Sequence, residues 1–210
     1  MSVEELKVGD PVTMLNGVLT PANAVVLATS SGIKGMIETL AEDIRPWIDS
    51  DASRPVVIVA LLEGGRFYAD CLTAELRKNC IVAFTRHDIK VSTRNGDGRP
   101  LESHRIVGDL EVLRGGRILI VDDVLDSGAT LSVVYQCLEG IVSELKSTVL
   151  VQKNDPNFGA AKLSARPKVD FVGMIFEDSR WLSGAGMDMP GDSDGRAQNS
   201  SMLIAYPPVF

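Results

Sequence analysis

The chain is expected to fold as an α/β protein with a mostly parallel, twisted sheet flanked by helices. Three observations carry this expectation. Short apolar runs of strand type alternate with stretches of helical periodicity from about residue 56 to about residue 175, as crossover-connected parallel strands require. Of the 210 residues, 45% are hydrophobic but only 5% aromatic, so the core must be built from Val, Ile, Leu and Ala, the residues of strands buried on both faces. One run, Ile118-Leu-Ile-Val121, ends in two adjacent acids and leads to a small-residue loop, Asp126-Ser-Gly-Ala-Thr130, that opens a helix. In parallel sheets, ligands bind beyond such strand ends. The length suits one domain, residues 1–210, with a sizeable core.

The elements follow in order. Residues up to about 25 are mixed and broken by Pro11, Gly17 and Pro21, with a short hairpin expected within Val12–Leu19. Residues 31–48 read as an amphipathic packing helix with Ile33, Met36, Ile37, Leu40 and Ile44 on one face. Val56–Leu62 is a nearly continuous apolar strand. Arg66–Lys78 is helical with Phe67, Leu72 and Leu76 inward, and Ile81–Thr85 is the next strand. Residues 86–110 are polar, Gly-containing and poorly periodic, and read as a loop. Strand 118–122, helix 129–145 and strands Thr148–Val151 and Phe171–Ile175 complete the alternation. Residues 183–200, rich in Gly, Asp and Ser, read as a surface loop.

Composition excludes several classes. The net charge of −7 argues against a nucleic-acid footprint, which would be basic. No run approaches the roughly 18 apolar residues of a membrane span. The start, Met-Ser-Val-Glu-Glu-Leu-Lys, lacks the regions of a signal peptide. The cysteines, Cys71, Cys80 and Cys137, have no metal-ligand spacing and fit reduced thiols in a cytoplasmic protein. Cys71 and Cys137 lie among apolar residues of expected helices and read as core. His87 and His104 have no metal-like partners in sequence and take no role.

Asp122 and Asp123 carry the chemistry. A buried carboxylate is costly without partners, so an acid pair at the end of a buried strand points to a ligand. An ordinary capped helix, with Ser127 or Asp126 as the cap, accounts for Leu125 to Thr130 but not for the pair. The segment Ile118-Leu-Ile-Val-Asp-Asp-Val-Leu-Asp-Ser-Gly-Ala-Thr130 resembles, at every position, the motif by which type I phosphoribosyltransferases bind phosphoribosyl pyrophosphate (PRPP). The resemblance implies that Asp122 and Asp123 hold the ribose hydroxyls, directly or through metal-bound water. It implies that Asp126, Ser127, Gly128, Ala129 and Thr130 cradle the 5-phosphate, whose charge suits backbone N–H groups at a helix start. Asp126 would also face the purine N7 as the catalytic proton acceptor or donor.

Further segments are similar to the hypoxanthine-guanine (6-oxopurine) branch of that family. In Leu61-Leu-Glu-Gly-Gly65, the residues Leu62, Glu63 and Gly64 correspond to a pyrophosphate loop that binds through backbone amides and often holds a cis peptide before its middle residue. Glu63 stands where lysine is common. Val169-Asp-Phe-Val-Gly173 followed by Ser179-Arg-Trp-Leu-Ser-Gly-Ala-Gly-Met-Asp188 resembles the base platform. Trp181 would stack on the purine and the Leu182 backbone would read its 2-position. Lys153 would donate to the 6-oxo group, with Gln152 as the neighbouring alternative; the usual Lys-Arg pair reads Lys-Asn here. Asp188 matches an acid near the metal, and Arg196, after a slightly longer spacer, an arginine at the leaving pyrophosphate. Ser92-Thr93 is the best match for the Ser-Tyr pair of the lid.

The resemblance implies a Rossmann-like core of about residues 30–175 and a small hood formed by N- and C-terminal segments, about 1–29 and 176–210. It implies transfer of phosphoribose from PRPP to N9 of hypoxanthine or guanine, with xanthine as a further candidate. Mg²⁺ would be held near Asp122, Asp123 and Asp188, and the assembly would be a homodimer or homotetramer. Two alternatives stay open. One is a regulator that senses PRPP or nucleotide on the same fold. The other is a transferase for another base, although an orotate or adenine enzyme should lack the Lys153 and Trp181 pairing.

Overall fold

A computed structural model describes residues 6–94, 100–189, 195 and 200–207. The chain starts with a hairpin of β1 (Met14–Leu15) and β2 (Val18–Leu19), turned by Asn16 and Gly17, both at positive φ as a tight hairpin turn requires. Strand β3 (Val25–Ala28) leads into helix α1 (Ser30–Asp49). The Thr29 hydroxyl caps this helix by accepting from the Gly32 N–H at 3.2 Å. The expected face of α1 is buried through Ile33, Ile37, Leu40 and Ile44, while Met36 is partly covered.

Six strands form the main sheet in the order β6-β5-β4-β7-β8-β9. Strands β4 (Val56–Leu62), β5 (Phe84–Arg94), β7 (Arg117–Leu125), β8 (Glu144–Lys153) and β9 (Phe171–Phe176) run parallel, and β6 (Pro100–Val107) is the antiparallel edge. Side-chain alternation along the central strands divides the core in two. Val56, Ile58 and Ala60 of β4 and Leu119 and Val121 of β7 pack with α1 and α2 (Gly65–Asn79). Val59, Leu61, Ile118 and Ile120 point the other way, to Leu131, Val134 and Leu138 of α3 (Ala129–Leu138). A short helix α4 (Gly159–Ser164) precedes β9. The hood is a three-stranded antiparallel sheet that joins β3 to β10 (Trp181–Ser183) and β11 (Leu203–Tyr206). Among the described residues, no helix is long and apolar enough to cross a membrane.

Four sequence expectations need correction. Helix 129–145 ends at Leu138, because Gly140 turns the chain at φ +73° and residues from Glu144 onward pair with β7. The strand expected over 81–85 begins at Phe84, opposite Val56; Ile81 and Val82 donate their N–H groups to Asp49 at the end of α1. The stretch 86–110 is not a plain loop: β5 runs on to Arg94, past the end of β4, and pairs with β6. A ribbon extending beyond the sheet needs no apolar alternation, so periodicity is blind to it. Cys137 is exposed rather than in the core, and Cys71 is partly covered.

Candidate functional site

The site lies beyond the C-terminal ends of β4, β7 and β8, under the hood. Parallel strands bring these ends together from segments far apart in sequence. Asp122 and Asp123 are each only 8% exposed at the end of β7. Asp122 accepts from the Asp123 N–H at 3.1 Å, and Asp123 accepts from the Val124 N–H at 2.8 Å. Burial, with Asp123 alongside, pushes the Asp122 carboxyl well above the usual carboxylate range. Burial pushes Asp123 up to about 6, and the charge of Asp188 adds to the rise.

The turn Glu63–Gly65 sits directly on this pair, and the peptide between Leu62 and Glu63 is cis. A Cβ on Gly64 would overlap the Asp123 carboxylate, and one on Gly65 would lie 2.8 Å from the Val121 carbonyl oxygen. Both glycines are therefore required by close approach. The Glu63 side chain turns outward, 3.3 Å from Arg66 and 3.6 Å from Lys90. From the hood, Gly186 (φ +103°) comes so close to the Gly64 carbonyl that no Cβ would fit. The tight turn Gly184–Met187 is closed by two backbone hydrogen bonds of 3.0 Å. The Ser183 hydroxyl donates to the Asp188 carbonyl at 2.6 Å and so fixes where Asp188 leaves the turn.

Two cavities meet here. One is lined by Leu61, Leu62, Gly64, Val91 and residues 122–131, which include Asp126, Ser127, Gly128, Ala129 and Thr130. Gly128 takes φ +81° at the N-terminus of α3, which points the start of that helix at the cavity wall. The other cavity, of about 200 Å³, is lined by Asp123, Val124, Asp126, Lys153, Trp181, Leu182, Met187 and Asp188. Asp123, Val124 and Asp126 belong to both, so they form the sill between them. Lys153 is 7% exposed at the end of β8 and donates to the Ser179 carbonyl at 3.4 Å. Trp181 remains 49% exposed, while Leu182 is buried behind it.

Sequence reasoning thus named Asp122, Asp123, Asp126 to Thr130, Leu62, Gly64, Lys153, Trp181, Leu182 and Asp188, and the structure brings them around these two spaces. It places the Glu63 side chain on the outer surface instead. Arg196 lies outside the described residues. For Ser92 and Thr93 the backbone is described, in the extension of β5 paired with β6, but their side chains lie outside the described part. The sequence reading missed the wall residues Val91, Val124 and Met187. It also missed Arg166, whose guanidinium reaches the Asp126 and Lys153 carbonyls. Only the Lys153-Asn154 departure hinted that an arginine was needed from elsewhere.

A buried acid pair, a glycine turn packed on it and a small-residue loop opening a helix line one space at the strand ends. Residues 32–167 match the phosphoribosyl transferase domain family, well over half of the chain, and the chain belongs to that family. It is 27% identical over 165 residues to the hypoxanthine-guanine phosphoribosyltransferase of Aquifex aeolicus, covering 78% of this chain and 85% of the relative. It is 28% identical over 167 residues to the hypoxanthine phosphoribosyltransferase of Escherichia coli, covering 78% and 86%. Its fold is similar to that of the Trypanosoma cruzi hypoxanthine phosphoribosyltransferase solved with its product IMP, with a TM-score of 0.70, 21% identity, and 87% and 94% of the two chains covered.

Proposed function

We propose that this phosphoribosyltransferase joins the ribose-5-phosphate of PRPP to N9 of a 6-oxopurine, hypoxanthine or guanine, with release of pyrophosphate. The observation that carries this reading is the shared sill. A space lined by two acids and a helix start adjoins a second one lined by Lys153 and Trp181, with Asp126 between them. The relatives named for hypoxanthine and guanine support the same choice of base.

The residues divide the work as follows. The Asp126–Thr130 loop takes the 5-phosphate on backbone N–H groups, and Asp122 and Asp123 take the ribose hydroxyls. The half-exposed Trp181 ring offers a face for the purine, and the Leu182 backbone meets its 2-position. The Lys153 ammonium, a donor without acceptor capacity, selects a 6-oxo over a 6-amino group. As N9 bonds to C1 of the ribose, the C1–oxygen bond to pyrophosphate breaks. Positive charge then grows on the ribose beside two carboxylates, and Asp126 exchanges the proton at N7. Gly64 and its neighbours meet the leaving pyrophosphate with backbone amides, a role that leaves the Glu63 side chain free to point away.

The site suits Mg²⁺. Asp122 and Asp123 are buried side by side, with Asp188 adding negative charge, and a cation relieves that cost. Among the described residues, no group of three or more His, Cys, Asp or Glu is placed to hold a metal ion by itself. An ion here would be held by one or two carboxylates and would need substrate oxygens and water for the rest of its shell. Bound there, Mg²⁺ supplies charge neutralisation to the leaving pyrophosphate.

The test is a panel of PRPP and Mg²⁺ with hypoxanthine, guanine, xanthine, adenine, uracil or orotate, followed by nucleotide formation. Turnover with hypoxanthine or guanine and not with adenine is the expected result; no turnover with any purine overturns the reading. A second expectation concerns Lys153→Met. Losing a hydrogen bond to a charged donor is worth about 1.5–3 kcal/mol, so kcat/KM for hypoxanthine should fall roughly tenfold to a hundredfold. Isothermal titration should find PRPP affinity unchanged, because Lys153 lines only the base cavity.

A further inference from the structure

We propose that Arg166 is a positioning residue that sets the separation between the two groups reading the purine, Asp126 and Lys153. The inference rests on the proposed 6-oxopurine transfer. The ladder between β7 and β8 ends with the pair Leu125 and Gln152. The next residue on each strand, Asp126 and Lys153, faces the base cavity. Past the last rung no β7–β8 pairing fixes their spacing, although Lys153 itself still pairs with Phe176 of β9. Arg166 reaches across the gap. Its Nη1 donates to the Lys153 carbonyl at 2.6 Å and to the Asp126 carbonyl at 2.9 Å, with the Leu125 carbonyl at 3.5 Å. Its Nη2 donates to Asn154 Oδ1 at 2.8 Å, an oxygen that also accepts from Gln152 Nε2 at 3.2 Å.

A guanidinium suits this task because its planar fork offers several donors in fixed directions. Asn154 stands next to Lys153, where an arginine would be usual in the resembling enzymes. Here that position supplies an acceptor, and the arginine comes instead from the chain that follows α4. The aliphatic stem has a second contact. Gly128, at positive φ in the loop at the start of α3, packs so closely that a Cβ there would lie 3.2 Å from Arg166 Cβ and Cγ and 2.9 Å from Pro167 Cδ. The fork therefore ties the base-reading ends, and the stem supports the phosphate-facing loop. The two functions can be separated by substitution.

Arg166→Met keeps most of the stem and removes the fork. It should raise KM for hypoxanthine roughly tenfold or lower kcat by a similar factor, since small misplacements of reacting groups are costly. KM for PRPP should change less than KM for hypoxanthine, because Asp126 opens the phosphate loop but the stem contact under Gly128 remains. Arg166→Ala also removes the stem and should weaken PRPP as well. Arg166→Lys keeps the stem and one charged donor, and should restore part of the affinity for the base. Titration with IMP gives a binding readout independent of turnover, and melting curves report whether each variant is folded. Wild-type turnover together with KM values for Arg166→Met and Arg166→Lys all within about twofold of wild type would overturn this inference alone. A uniform loss of activity matched by unfolding in Arg166→Met, with full activity in Arg166→Lys, would also overturn it, since support of the fold would then be the whole role. A wild-type chain inactive on every 6-oxopurine overturns the transfer reading and this inference with it.

Discussion

Asn at both Asp122 and Asp123 is expected to abolish PRPP binding and, at neutral pH, to raise the melting temperature of the ligand-free protein. The two carboxylates lie buried side by side under the Gly64–Gly65 turn. Burial lifts both from their ordinary 3.8, Asp123 to about 6 and Asp122 well above the usual range. The folded state therefore binds protons at these sites more tightly than the unfolded chain does. Stability from this source is greatest in acid and is lost as pH rises from about 4, through about 6 for Asp123 and through the raised folded-state range of Asp122. Asn keeps the shape and the acceptor oxygens but carries no charge, so it removes this cost. A rise of roughly 5 °C at neutral pH is the expected scale, with a flatter profile of melting temperature against pH. Binding should suffer because the ribose hydroxyls and the metal lose charged acceptors. Melting curves across that pH range and titration with PRPP and Mg²⁺ check both halves. Unchanged PRPP affinity would refute the ribose assignment, and a lower melting temperature would mean that the charged forms stabilise the fold.

The parts of the fold that were legible in the sequence are those where a single face or a local turn dictates the outcome. Val56–Leu62 and the α1 face are read directly from apolar spacing, since burial on one or both sides forces it. The acid pair was legible because buried charge is unusual at a strand end, and the Asp126–Thr130 loop because the segment resembles the PRPP motif at every position. The extension of β5 and its pairing with β6 were not legible, because the sequence there has no sustained apolar alternation. The end of α3 was readable in principle from Gly140, but the apolar residues that follow, Ile141, Val142 and Leu145, imitate another helical turn. In the site, Lys153 and Trp181 could be named because their segments resemble the base platform of 6-oxopurine enzymes. Arg166 could not, since its importance comes from a gap between two strand ends that exists only after folding.

Arg117→Met is expected to destabilise the protein strongly while leaving the site intact in molecules that still fold. Arg117 begins β7, at the end of that strand away from Asp122 and Asp123, and is 1% exposed. Its guanidinium closes the C-terminus of α1. It donates to the Trp47 carbonyl at 2.5 Å and the Ser50 hydroxyl at 2.9 Å, and lies 3.4 Å from the Ile48 and Arg54 carbonyls. It also pairs with Glu144 at 2.9 Å and stacks on the Trp47 ring at 4.8 Å, while Trp47 Nε1 donates to Glu144 at 2.6 Å. One cation thus adds donors at the end of α1, where the Trp47 carbonyl also accepts from the Ser50 N–H and hydroxyl, and joins α1 to β7 and β8. Met fills similar space but removes the charged donor from these acceptors and leaves Glu144 with Trp47 Nε1 alone, a loss of about 3 kcal/mol. For a domain of this size that lowers the melting temperature by roughly 6–12 °C. Burial tends to raise the Glu144 carboxyl, but the hydrogen bonds from Trp47 and Arg117 outweigh it and hold the group below its ordinary 4.5. The stability they contribute is present above that value and is lost as pH falls through the lowered one, so the variant should have a shallower acid limb. Below its melting transition its KM values for PRPP and base should match wild type, because the site lies at the opposite strand ends. A variant that melts like wild type would show that water replaces the guanidinium at the α1 terminus, and changed KM values would show that the clamp is felt along the whole of β7.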